Sequence, residues 1–215
     1  MKKRSKLQLY SALFSILAVV AAGYFYLPAI LGDTVYPLKY ADFIRKYSAE
    51  YSVDPALIAA VIKQESNFNP NAQSGAGAKG LSQFMDGTAR TVATEVGRTT
   101  YDIFDPETAV QFCARHVKDL LDKYKGNIPA ALAGYNAGTG NADRWIRMGL
   151  LDNLPSGETK NYVRNVQEYQ KIYASFYSRE LYGVDAKIKI EKPKQDFVWS
   201  RMIKDLVSVV YGEKK

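Results

Sequence analysis

The chain has one cysteine and one histidine, carries no charged residue between Leu7 and Gly32, and shows no alternating strand pattern as strong as its helical repeats. Each shortage excludes something. A lone Cys113 rules out an intramolecular disulfide, and a lone His116 rules out a Cys/His zinc cluster within one chain. Ser-His-Asp and metal chemistry are disfavoured with them. Cys113 and His116 stand three apart on a stretch with helical spacing, which invites a thiol-nucleophile reading. Catalytic Cys and His normally come from separate elements, however, and the company of Val110, Phe112 and Val117 points to a core cysteine.

Charge is missing from the middle of the molecule in another sense. The net charge of +7 suggests an anionic partner until the charges are located. Lys2, Lys3, Arg4 and Lys6 supply four positives at the start, and residues 184–215 hold 8 basic against 5 acidic side chains. Residues 33–183 are therefore balanced, 17 against 17. A neutral central domain lacks the basic footprint of a nucleic-acid binder. With 47% hydrophobic residues the chain as a whole can bury a core, which excludes wholesale disorder.

The uncharged run behind a basic cluster has the pattern of an export signal or membrane anchor. It is longer than the apolar region of a typical signal peptide, and at about 1.5 Å per residue it can cross a hydrocarbon layer of roughly 30 Å. Val20, Ala21 and Ala22 offer a small-residue cleavage site, which leaves secretion after cleavage as the alternative. The apolar run continues beyond them to Leu31, which favours a retained single-pass anchor with its basic end cytoplasmic and the rest of the chain outside. The expected division is an anchor at 1–32, a domain at 33–183 and a basic amphipathic tail at 184–215.

Within the domain the signals are helical. Tyr40, Phe43, Ile44, Tyr47 and Tyr51 make an apolar stripe. Asp54 and Pro55 read as N-cap and first residue of a helix running toward Glu65. The sequence NFNPNAQSGAGAKG after it has the composition of an irregular loop. Asp105 and Pro106 open a helix of about five turns ending at Gly126. Shorter helices are expected at Ile128 to Tyr135 and Asn141 to Met148, and a long amphipathic one over about Glu158 to Tyr182. In the tail, KIKIEKPKQ precedes an amphipathic segment with Val198, Trp199, Met202, Ile203, Leu206, Val207 and Val210. That segment could pack on the domain, lie on an anionic membrane surface, or bind a partner protein's helix.

Glu65 closes an apolar helix beside Ile62, Gln64, Ser66 and Phe68, just before the glycine-rich loop. A carboxyl held against apolar surface has its charged form disfavoured, which suits it to donate a proton near neutral pH. On position alone it is one of 17 acids in the domain, and most acids are solvated.

Three segments separate it from the rest: VIKQESNFNPNAQSGAGAKGLSQF, ALAGYNAGTGNADRW and ETKNYVRNV. Their order and spacing resemble the signatures of the goose-lysozyme-like, soluble-lytic-transglycosylase (SLT) family over about residues 37–180. The resemblance implies an all-α, lysozyme-like domain that acts on peptidoglycan glycan strands without metal or cofactor. It implies that Glu65 is the family's single acid/base. Ser74 matches a serine bonding near that carboxylate, Gly80, Leu81 and Gln83 a substrate-lining segment, Tyr135 and Asn136 the cleft, and Tyr162 the tyrosine that approaches the glutamate. Ser82 stands where the family usually has Met, Gly134 where Ala is usual, Thr139 where Pro is usual, and Ala109 and Cys113 where Asn and Gly are common. The first departure bears on sugar stacking and subsite preference, and the rest on local packing.

Ordinary glycosidases flank the scissile bond with two carboxylates, whereas this pattern offers one. The resemblance implies that Glu65 protonates the oxygen between N-acetylmuramic acid and N-acetylglucosamine, then deprotonates the muramoyl C6 hydroxyl. That tethered hydroxyl closes a 1,6-anhydro ring. The rivals are a lysozyme-type hydrolase with Asp86, Glu95 or Asp102 as second acid, and a noncatalytic glycan-binding scaffold.

Overall fold

The structure, a computed structural model, describes residues 2–183 and 195–211; the basic stretch 187–194 of the tail lies outside them. Among the described residues the regular elements are helices, in the order α1 Lys2–Val35, α2 Ala41–Tyr51, α3 Pro55–Ser66, α4 Asp86–Glu95, α5 Pro106–Lys123, α6 Ile128–Ala137, α7 Thr139–Arg147, α8 Gly157–Phe176, α9 Ser178–Tyr182 and α10 Gln195–Tyr211, with a 3-10 turn at Leu151–Asn153. The chain forms two compact units, one of residues 37–192 and one joining residues 1–36 with 193–215.

In the larger unit α3 is the central helix. All residues from Pro55 to Ile62 are buried, so it is apolar on every side and must be surrounded. α8 packs along it, with α2, α5 and α9 also against it. Its start is fixed by Asp54, whose carboxylate accepts from Ala56 N at 3.0 Å, from Gln170 Nε2 at 2.6 Å and from the Tyr182 hydroxyl at 2.6 Å. One side chain thus caps the helix and ties it to α8 and α9. Asp105 caps α5 in the same way, accepting from Thr108 N at 2.8 Å, and Asn127 and Ser156 cap α6 and α8.

Several element boundaries differ from expectation. The helix opened by Asp105 ends at Lys123, because Lys125 and Gly126 take left-handed backbone and turn the chain into α6. The long helix expected to reach Tyr182 breaks at Tyr177 (φ −118°), giving α8 and the short α9. α4 carries no strong apolar repeat, yet Ala89, Val92 and Ala93 are buried in a cluster with Phe84, Ile103 and Phe112. Packing rather than pattern makes it a helix.

In the smaller unit α1 runs unbroken from Lys2 to Val35, and α10 packs on it. Among the described residues no helix is long and apolar enough to cross a membrane.

Candidate active site around Glu65

The position of Glu65 follows from how α3 ends. The buried part of the helix stops at Ile62, and its last turn emerges with Glu65 half-buried. Asn67 (φ 51°) terminates it in the left-handed conformation, with its N–H donating to Lys63 O at 3.0 Å. Asn tolerates this region well. Phe68 (φ 60°) does not, and its ring is wholly buried with the Tyr173 ring centred 6.0 Å away. Burial of that aromatic offsets the backbone cost.

The chain then forms a loop closed on itself by two isolated β-bridges, Gln73 with Lys79 and Lys79 with Phe84. The Ser74 hydroxyl accepts from Ala78 N at 3.0 Å. The Gln83 side-chain amide donates to the carbonyls of Gly80 at 3.0 Å and Ala72 at 3.2 Å. Gly80 has φ +74°, and a Cβ there would lie 2.4 Å from the Ile103 carbonyl oxygen, so only glycine fits. Leu81 is fully buried. These four residues therefore stand in the structure as the makers of the loop: Ser74 and Gln83 are engaged in its internal bonds, and Gly80 and Leu81 face the core.

The other site residues converge on Glu65. The Tyr162 hydroxyl, from α8, donates to Glu65 Oε1 at 2.6 Å. Tyr135, from α6, stacks on Tyr162 with centroids 6.3 Å apart and planes 14° from parallel. Its own hydroxyl donates to the Ser82 carbonyl at 3.0 Å, which ties α6 to the loop. Asn136, the next residue, accepts from the Thr159 hydroxyl at 2.7 Å and ties α6 to α8. Glu65, Tyr135 and Tyr162 thus form one cluster drawn from α3, α6 and α8.

Burial, followed by the Glu65 charge, holds the Tyr162 hydroxyl far above its ordinary pKa; for Tyr135 burial again leads, and the Glu65 charge adds to it. Both phenols therefore stay protonated and supply an O–H donor and a neutral ring surface rather than a phenolate. Burial likewise pushes the Cys113 thiol up to about 12 and lowers the His116 imidazole to about 4. A neutral buried thiol beside a neutral imidazole is no nucleophile pair, and the thiol-nucleophile reading falls. Among the described residues no group of three or more His, Cys, Asp or Glu side chains is placed to hold a metal ion.

The acids considered as a second carboxylate are occupied elsewhere. Asp86 pairs with Lys79 at 2.9 Å, Asp102 accepts from Phe104 N at 2.9 Å, and Glu95 faces Arg115 and Asp119 on α5. Sequence reasoning missed the ring wall behind Tyr135. His116 lies 5.2 Å from it and Phe84 lies 6.0 Å from it, with Phe84 edge-on to His116 at 5.5 Å. The one available signal was the α5 repeat Phe112, Cys113, His116, Val117 and Leu120, which sets the histidine beside the buried face.

The sequence profile of the Transglycosylase SLT domain matches residues 42–149. The chain is 29% identical over 153 residues to the soluble lytic murein transglycosylase of Escherichia coli, covering 66% of this chain and 24% of that protein. It is also 29% identical over 166 residues to membrane-bound lytic murein transglycosylase C of Serratia proteamaculans, covering 63% and 46%. Among solved structures it resembles an inactive mutant of the lytic transglycosylase Slt from Pseudomonas aeruginosa, with a TM-score of 0.64 and 26% identity over 75% of this chain and 29% of that one. The chain spans about a quarter of the Escherichia coli relative it matches. The matched span takes in Glu65, the loop and α6, while Tyr162 lies beyond it and is brought to Glu65 by the fold: the chain belongs to the Transglycosylase SLT domain family.

Proposed function

We propose that this chain cleaves peptidoglycan glycan strands as a lytic transglycosylase, with Glu65 as its single acid/base. The observation that carries this reading is the 2.6 Å bond from the Tyr162 hydroxyl to Glu65 Oε1, made while the acids considered as a second carboxylate are engaged elsewhere. A phenol that stays protonated holds the carboxyl in one orientation without competing for its chemistry. Glu65 would protonate the leaving oxygen between N-acetylmuramic acid and N-acetylglucosamine and then take the proton of the muramoyl C6 hydroxyl. The C6 oxygen bonds to the anomeric carbon as the glycosidic C–O bond breaks, so water is not consumed. Tyr135 and Asn136 would contact the sugar beside Glu65, while Ser74, Gly80, Leu81 and Gln83 would serve it by setting the shape of the loop.

The test is mass spectrometry of products released from purified sacculi. Anhydro-muramoyl ends are expected, and Glu65→Gln should abolish release with an unchanged circular dichroism spectrum. Reducing ends would mean hydrolysis, and full activity in the glutamine variant would mean that Glu65 is not the acid.

We also propose that α1 anchors the chain in the cell membrane, with the domain on the outer, wall side. The uncharged run from Leu7 to Gly32, the basic cluster before it and the helical continuity of α1 support this. Retention of the full chain in the membrane pellet after alkaline carbonate washing is the expected result, and release into the supernatant would refute it.

A further inference from the structure

The tail helix is attached to α1 at a chemically distinctive place. In a helix the N–H of each residue serves the carbonyl four residues earlier. Position 28 of α1 is proline, which has no N–H to give, and the carbonyl four residues before it belongs to Tyr24. That carbonyl accepts from the Trp199 indole Nε1 of α10 at 2.8 Å. The two rings also stack, centroids 6.0 Å apart and planes 20° from parallel. The only indole of α10 thus docks the tail at the proline position of α1.

α10 has one buried face and one exposed apolar stripe. Val198, Arg201, Met202 and Asp205 recur at three- and four-residue spacing and are buried, with Arg201 and Asp205 neutralising each other at 3.2 Å. Ile203, Leu206 and Val207, at 54%, 36% and 49% exposure, form a second stripe on the side of the helix that carries Trp199. Trp199, on the side of this stripe, stacks on Tyr24 of α1, a helix whose exposed apolar residues include Leu13, Phe14, Leu17 and Val20. Lys204 is exposed next to the stripe, and residues 184–215 carry more basic than acidic side chains, which suits an anionic surface.

We infer that α10 lies in the boundary of the bilayer, its Ile203–Leu206–Val207 stripe covered by lipid and Trp199 fixing it to α1. The inference rests on the anchor reading of α1. From Lys6 to Tyr24 a helix rises about 27 Å, which sets Tyr24 and Trp199 near the far edge of a hydrocarbon layer about 30 Å thick. Tyr and Trp concentrate at that level because one end of each ring system is apolar and the other hydrogen-bonds. On this reading α1 and α10 of the smaller unit both meet lipid, α1 by spanning and α10 by lying along the boundary.

The experiment reconstitutes the full chain into vesicles of mixed zwitterionic and anionic phospholipid. Trp199 emission is isolated as the difference between the wild-type chain and Trp199→Phe, since the only other tryptophan is Trp145. Lipids brominated near the headgroup should quench most of that emission, lipids brominated near the acyl terminus should quench it far less, and Ile203→Ser/Leu206→Ser/Val207→Ser should relieve the quenching. A chain that stays with the vesicles but shows unquenched Trp199 emission would overturn the inference and leave the anchor standing. A chain that does not float with the vesicles would overturn both. Cysteine cross-linking between two copies through position 207 would assign the stripe to a second chain and overturn the lipid assignment.

Discussion

Tyr162 reaches Glu65 from a position 97 residues away in sequence, through one hydrogen bond of 2.6 Å. Hydrogen bonds to charged groups are worth roughly 1.5 to 3 kcal/mol, or about 10- to 100-fold in rate where they orient a reacting group. Tyr162→Phe keeps the ring that stacks on Tyr135 and removes only the donor. Its kcat on purified sacculi should fall about 10- to 100-fold, with KM held within roughly threefold, because the lost interaction belongs to the acid and not to the sugar. A change confined to KM would make Tyr162 a substrate contact instead. Glu65 and Tyr162 were legible in the sequence from the family-like segments that contain them, since position alone left Glu65 one of 17 acids in the domain. Their juxtaposition was not, because it depends on how α8 lies along α3, which no spacing within either helix encodes. Ser74 and Gln83 show the converse: their motif positions are clear, and only the fold reveals that their polar atoms hold the loop together.

Elements whose ends are chemically marked were readable, and those formed by packing were not. Asp54–Pro55 and Asp105–Pro106 announced α3 and α5 because a capping carboxylate followed by proline favours helix initiation on its own. α4 gave no such notice, having Met85 at its N-cap with no side-chain bond. Asp54 does more than its sequence position suggested, since it also accepts from Gln170 and Tyr182. Asp54→Ala should therefore cost more than a simple cap, about 2 to 4 kcal/mol in urea unfolding against roughly 1 kcal/mol for the cap alone. A loss of only about 1 kcal/mol would show that the two inter-helix bonds contribute nothing net. In the loop, Gly80→Ala meets both a left-handed backbone and the Ile103 carbonyl, and should destabilise by at least about 2 kcal/mol, whereas Gly77→Ala, also left-handed but in open space, should cost only about 1 to 2 kcal/mol. Equal losses at the two positions would remove the close approach as a cause.

For the molecule as a whole, the linear order suggested an anchor, a domain and an amphipathic tail whose packing was left open, and one compact unit of the structure joins residues 1–36 with 193–215. Only a contact across nearly the full sequence, such as Trp199 with Tyr24, reveals that pairing, so no local pattern could. Global stability should also carry a pH signature from the ring wall of the site. His116 is held neutral by burial, its pKa lowered to about 4 from 6.5. Between those values the unfolded chain binds a proton that the folded chain refuses, so stability is fully present above about pH 6.5 and is lost as pH falls toward 4. The loss attributable to this residue is roughly 2 to 3 kcal/mol. Glu95 opposes it, because burial raises its carboxyl above the usual range and its protonation favours the folded state as pH falls. His116→Phe keeps an aromatic ring against Phe84 and Tyr135 and leaves Glu95 in place. Urea unfolding of both proteins at pH 7 and pH 4.5 separates the two contributions: the wild type should lose more stability than the variant over that interval. Parallel losses in the two proteins would mean that His116 is solvated in the folded state and that the ring wall behind Tyr135 is open to water.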